Sequence, residues 1–228
     1  MRSSAASDVY KRQYLLYHNI TLPKSQPISA AKREAHADGE NGTWRFDFPV
    51  LKWRKRQKGD EKMELKTQGH NIPPLYDEKS RVLILGSFPS VKSREAAFFY
   101  AHPQNRFWPT LAAVLGEETP KTVKEKKAMV LRRGVAMWDT IGSCEIVGSS
   151  DASITNVVPN DLSVILDAAD IQAIFCNGGT ALRLYQKYQQ NSTGIPAAGL
   201  PSTSPANAAW TLNRLVSVWN VIRTELEK

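Results

Sequence analysis

Hydrophobic and polar positions along the chain change character as it is read from the front. Between about Tyr14 and Lys62 neither a helical nor an alternating period is sustained, whereas beyond residue 80 short apolar runs alternate with segments of helical spacing. Arg81-Val-Leu-Ile-Leu-Gly-Ser87 is a continuous apolar run closed by Gly86, which predicts a strand buried on both faces at the centre of a sheet. Pro103 in the first turn, followed by Phe107, Trp108, Leu111, Ala112 and Leu115 at helical spacing, predicts a helix that stops at Gly116. Thr122 to Arg133 predicts a second helix, charged on one side and closed by Gly134, and Val135 to Trp138 the next strand. After a polar loop, Asp161 caps a helix carrying Leu162, Ile165 and Leu166, and Ile171 to Cys176 forms another apolar strand. Asn177-Gly-Gly breaks it and starts a helix over Thr180 to Gln190. Ile195 to Leu200 is the last strand, and Ala208 to Leu226 reads as one long amphipathic helix with Leu212, Leu215, Val216, Trp219, Ile222 and Leu226 inward.

The repeated strand-then-helix order predicts the α/β class: a three-layer α/β/α sandwich with a short, mainly parallel central sheet. In such sheets ligands bind beyond the carboxyl ends of the strands. Two unusual loops fall there. Gly86 to Trp108, GSFPSVKSREAAFFYAHPQNRFW, combines a strand end, an aromatic cluster and a polar helix start; Leu200 to Asn207, LPSTSPAN, also follows a short apolar run and also opens a helix. The two are expected to meet at one sheet edge.

Composition narrows the class without naming a chemistry. The chain has 228 residues, 42% hydrophobic and 23% charged, enough for one sizeable core. No apolar run approaches the roughly 20 residues needed to span a bilayer, and the N-terminus lacks a charged-then-apolar signal, so a cytoplasmic protein without membrane association is expected. Cys144 and Cys176 are too few for a four-cysteine cluster and read as reduced thiols. The net charge of +8 is unevenly spread: residues 1–62 hold 13 Lys/Arg against 7 Asp/Glu, and residues 63–228 hold 17 against 15. Any DNA contact by the body must therefore come from placed groups and backbone amides, not from a broad field.

The front is set apart as a non-native or disordered segment, 1–62, ahead of one catalytic domain, 63–228. Ser3 to Gln13, SSAASDVYKRQ, resembles the in-frame translation of a transposon-type sequencing adapter, the other reading being a genuine disordered tail. The basic run LKWRKRQKGDEK has no apolar face; a DNA-binding arm is the competing view. Codons for Gly59-Asp60 are compatible with a ribosome-binding sequence, which makes Met63 the expected native start.

GSFPSxxS, FYAHPQNRFW and LPSTSPAN together resemble the uracil-DNA glycosylase superfamily, and within it the hypoxanthine-DNA glycosylase family; the likeness spans residues 70–228. The resemblance implies a uracil-DNA glycosylase-like fold and hydrolysis of the N-glycosidic bond of a base flipped from DNA. Most branches carry an Asp or Asn two residues after the opening glycine, where it positions the attacking water. Here that place is Phe88, a departure shared with the hypoxanthine family, which assigns the catalytic role to the Asn of HPxNxFW, here Asn105. A neutral amide is no strong base, but its oxygen and NH2 can hold a water and a base edge at once. The other reading of Asn105 is a residue that only satisfies backbone groups of the first helical turn.

Tyr100 matches the stacking aromatic that precedes AHP in relatives, while Phe98 and Phe99 compete as core, and Phe107 and Trp108 read as core. Base contacts are expected from Gly86, Ser87, Phe88, Tyr100 and His102, with His102 equally readable as a local cap. DNA contacts are expected from Ser90, Ser93, Ser202, Thr203 and Ser204, with Pro205 stiffening a wedge. Each serine also reads as an ordinary turn residue. In the second loop Leu200 stands where many relatives have His, which favours the hypoxanthine branch. Asp139 either orients a pocket group or caps the next turn, and Asn177-Gly-Gly is too generic to count as a nucleotide loop.

No metal-ligand spacing, Gly-x-Ser-x-Gly turn or helical carboxylate pair occurs, so a hydrolase without cofactor or metal is expected. The predicted activity is removal of hypoxanthine from deoxyinosine in DNA to leave an abasic site, as a base excision repair step by a monomer. The alternatives are the same chemistry on uracil or other mismatched bases, and a non-catalytic DNA-binding relative.

Overall fold

The computed structural model describes residues 66–228, so the expectations for residues 1–62, including Ser3 to Gln13 and the start at Met63, lie outside the described residues. The strands are β1 (Lys66–Gly69), β2 (Val82–Gly86), β3 (Val135–Asp139), β4 (Ile141–Ile146), β5 (Thr155–Pro159), β6 (Ala173–Asn177) and β7 (Ala197–Leu200). The helices are α1 (Val91–Glu95), α2 (Phe107–Leu115), α3 (Val123–Arg132), α4 (Ser163–Leu166), α5 (Gly179–Tyr188), α6 (Gln190–Thr193), α7 (Leu212–Trp219) and α8 (Val221–Leu226).

Four strands form a sheet in the order β3-β2-β6-β7, parallel at each pairing. Strand β2 lies inside it and all five of its residues are buried, as the unbroken apolar run predicts. Its side chains alternate between two cores. Val82 and Ile84 join Leu111, Val130, Trp219 and Ile222 on one face; Leu83 and Leu85 join Ile165, Ala181 and Tyr185 on the other. Helices thus cover both faces, giving the expected three layers.

A second, antiparallel sheet of order β1-β4-β5 takes β4 and β5 from the stretch read as a polar loop and β1 from the chain ahead of β2. Its strands carry weak patterns: β4 buries only Ile141, Cys144 and Ile146, β5 is largely exposed, and their pairing shifts register twice. No clean two-residue alternation survives that irregularity.

Two helix boundaries also move. Helix α2 starts at Phe107, not at Pro103: Arg106 is its N-cap, and just ahead of it Asn105 Oδ1 accepts the Phe107 N–H at 2.9 Å in an Asx turn. Pro109 occupies the third helical position, where an N–H has no intrahelical acceptor to lose. The end at Gly116, with φ of 68°, is as read. The last helix begins at Leu212, where the Thr211 hydroxyl accepts the Arg214 N–H, and is divided at Asn220; Leu212 is exposed while Leu215, Trp219 and Ile222 are buried. No helix among the described residues is long and apolar enough to cross a membrane.

The register aligns the strand ends. Gly86 pairs with Asp139, Leu85 with Cys176, and Asn177 with Leu200. One edge of the parallel sheet therefore presents Gly86, Asp139 and Asn177 side by side, with both unusual loops leaving from it.

Candidate active site

A cavity of about 680 Å³ opens at that edge, within the usual size of small-ligand sites. Its lining includes every residue singled out from the sequence: Gly86, Ser87, Phe88, Ser90 and Ser93 after β2, Tyr100, His102 and Asn105 ahead of α2, and Ser202, Thr203, Ser204 and Pro205 after β7. The two loops, about a hundred residues apart in the chain, form one wall.

Asn105 is where they are joined. Its Oδ1 accepts the Phe107 N–H and the hydroxyl of Thr203, at 2.9 and 3.0 Å. Thr203 is fully buried; its hydroxyl in turn accepts from Asn177 Nδ2, and its backbone N–H donates to Asn177 Oδ1, both at 3.0 Å. Since a backbone N–H only donates, the contact to Phe107 fixes which end of the Asn105 amide is oxygen. Both lone pairs of that oxygen are used, so the amide does not hold a water through its oxygen as the sequence reading supposed. Its NH2 has no partner among the described residues and remains a donor at the cavity wall.

Arg106 clamps the second loop onto the first. Its guanidinium donates to the carbonyls of Ser204 at 2.5 Å, Asn207 at 3.1 Å, Thr203 at 3.4 Å and Trp210, while its backbone N–H donates to Thr203 as well. The loop tip stays outside this clamp: Pro205 and Ala206 are exposed. Ser202 and Ser204 each accept an N–H two residues on, holding the turn.

Tyr100 sits in the left-handed region, φ 50°, a backbone strain that bulky residues rarely carry without a constraint. One face of its ring stacks on Phe107, centroids 3.8 Å apart and planes 15° apart, and the residue lines the cavity. Its hydroxyl is buried beside Asp139 and Asn177; burial pushes its pKa far above the ordinary phenol, the Asp139 charge adds to the rise, and the Asn177 amide pulls it part of the way back. Phe98 and Phe99 are core, and Phe98 stacks on Trp108.

The remaining predicted residues divide by what their polar atoms already do. Ser93 is 3% exposed and its hydroxyl accepts the Ala101 N–H, so it braces the loop from inside. Ser90 caps α1 through the Ser93 N–H. Ser87 donates to Asp151, whose carboxyl is pushed up by burial, pulled back by Ser87 and raised further by the Asp139 charge. His102 Nδ1 accepts the Gln104 N–H, the local turn role. Phe88 is buried, with the Arg94 guanidinium over its ring at 5.5 Å.

At the floor lies a pair that sequence reasoning missed. Asp139, 4% exposed, does not cap the turn; its Oδ2 is 2.8 Å from His70 Nε2. The Ile72 N–H donates to His70 Nδ1, so Nε2 carries the proton and donates to the carboxylate. Gly86 lies against this group: a Cβ there would collide with Asp139 Oδ1 and come within 3.1 Å of the Tyr100 hydroxyl. The strand-end position of Asp139 was readable, but its partner lies 69 residues earlier, at the end of β1, in a segment with no distinguishing pattern. Asn177 carried a signal, Asn-Gly-Gly at a strand end, that was set aside as generic.

Comparison with known proteins follows from this geometry. The profile of the uracil DNA glycosylase superfamily matches residues 73–223. A protein named hypoxanthine DNA glycosylase from Methanosarcina acetivorans is 30% identical over 152 residues, which span 66% of this chain and 95% of the relative. One of the same name from Methanosarcina barkeri is 31% identical over 116 residues, 50% of this chain and 72% of the relative. A solution NMR structure of a candidate uracil DNA glycosylase from M. acetivorans superimposes with a TM-score of 0.62 at 28% identity, covering 72% of this chain and all of that one.

Proposed function

The chain belongs to the uracil DNA glycosylase superfamily, and from that premise we propose that it is a monofunctional DNA glycosylase that removes hypoxanthine from deoxyinosine and leaves an abasic site. The observation that carries this reading is the Asn105–Thr203–Asn177 network, which fixes two amides, one from the first loop and one from the end of β6, on one cavity at the strand ends. The names of the two Methanosarcina relatives support the substrate.

In this reading the exposed tip around Pro205 presses into the stack as the nucleotide is extruded, and the base enters against Tyr100. The Asn105 NH2 donates to the departing purine, whose negative charge grows as the C1′–N9 bond lengthens. A preorganised donor aimed at developing charge is the kind of group that lowers such a barrier. Asn177, held in place by Thr203, presents its second N–H to the base edge. Phosphates are held by Ser90, Ser202, Ser204 and loop amides, as a nearly neutral body requires. In this reading the partner is DNA containing deaminated bases.

Excision of uracil is the second reading, favoured by the description of the matching NMR structure. Duplexes bearing one deoxyinosine or one deoxyuridine, incubated with the protein and cleaved with alkali, separate the two. Scission at deoxyinosine is the expected result; scission at deoxyuridine alone would transfer the chain to uracil, and scission at neither would remove the catalytic assignment.

A further inference from the structure

Hydrolysis needs a group that orients the attacking water and accepts its proton, and the residues that line the cavity leave few candidates. Asn105 is neutral and its oxygen is fully engaged by Phe107 and Thr203. His102 spends Nδ1 on its own turn. Asp151 is exposed, beyond β4, with its two oxygens sharing the one Ser87 hydroxyl proton, whereas a water-aligning group must stand at the sheltered strand ends. Phe88, at the place where most relatives have a polar residue, has only a hydrocarbon ring to offer.

Asp139 differs from all of these. It is buried at the carboxyl end of β3, in register with Gly86, from which the first loop departs. One oxygen is held by His70, which fixes the plane of the carboxylate; the other lies over Gly86 and has no hydrogen-bond partner among the described residues, at a cavity that Asp139 lines. The His70 ring is itself fixed, by the Ile72 N–H on one nitrogen and by edge contacts with Phe88 and Trp138 on its sides. Glycine at position 86 is what leaves room for that oxygen. A carboxylate thus reaches the foot of the first loop from the neighbouring strand.

Resting on the glycosylase reading above, we propose that Asp139 is the catalytic residue that aligns the attacking water, with His70 as its positioning residue. The water oxygen bonds to C1′ as the C1′–N9 bond breaks, and the bonding pair leaves on N9 of hypoxanthine. One water proton passes to Asp139, which returns it to solvent, and the departing base takes up a proton from solvent. One water is consumed and no other reactant is needed.

The test is single-turnover excision from a deoxyinosine duplex, paired with binding to a duplex whose deoxyinosine is 2′-fluorinated to resist cleavage. Asp139→Asn keeps an acceptor for His70 and removes the charge; it is expected to slow excision by about a hundredfold or more, the usual share of general base catalysis, with binding and thermal unfolding unchanged. His70→Phe is expected to slow excision, and His70→Gln, which still donates, to recover part of the loss. Wild-type rates in Asp139→Asn would overturn the proposal while leaving the glycosylase reading intact. So would weakened binding at an unchanged rate constant, which would make Asp139 a reader of the base. A wild-type protein inert on deoxyinosine would sink both.

Discussion

Replacing Asn105 in two ways separates its structural and chemical duties. Asn105→Ala removes the acceptor for the Phe107 N–H at the start of α2, a net loss of about 1 kcal/mol for one hydrogen bond. It also strands the buried Thr203 hydroxyl, at about 1–3 kcal/mol for an unsatisfied group. The sum, roughly 2–4 kcal/mol, lowers Tm by about 4–15 °C for a domain of this size. Asn105→Asp keeps both accepted bonds, because either carboxylate oxygen serves Phe107 and Thr203, and exchanges the NH2 donor for an anionic oxygen. Its Tm should therefore stay close to wild type, whereas its excision rate should drop by about 10²–10³, the usual effect of losing a donor to developing charge. The assay is differential scanning calorimetry beside single-turnover excision of deoxyinosine. Near-normal excision by Asn105→Asp would refute the donor role. A drop in Tm as large as that of the alanine variant would show that the accepted bonds are not what holds this loop.

Gly86→Ala places a methyl against the Asp139 oxygen, and with His70 holding the carboxylate the strain is expected to cost about 1–3 kcal/mol, read as a lower denaturant midpoint, and to depress excision. Arg106→Lys exchanges a planar fork serving three carbonyls of the second loop and that of Trp210 for a single point donor; faster amide exchange across residues 203–210 and weaker duplex binding are expected, and unchanged exchange would dismiss the clamp. Pro205→Ala at the exposed tip should leave stability within about 0.5 kcal/mol yet slow excision from duplex more than from single-stranded DNA. Equal slowing on both would show that the tip is not a wedge.

What could be read from the chain, and what could not, follows from where each signal resides. Strand β2 announced itself because both faces are buried, so five consecutive residues must be apolar. The two loops announced themselves because their glycine, prolines, aromatics and short polar residues are rare in that order. The antiparallel sheet did not, since its strands are half exposed and out of register with any simple period. Within the site the same division holds at the level of single atoms. Residue type placed Asn105 at the cavity, but only its contacts with Phe107 and Thr203 reveal that the amide faces the ligand as a donor. That contact pattern removes Asn105 from the task of aligning water through its oxygen and directs attention to a carboxylate. The carboxylate was visible at a strand end, while the histidine that orients it sits 69 residues away. Pairings of that range arise from strand order and register, which bring Gly86 and Asp139 together as neighbours before any side chain is considered. The missing polar residue of the first loop is thus a reason to look sideways along the sheet edge, where Gly86, having no side chain, leaves the space that Asp139 fills.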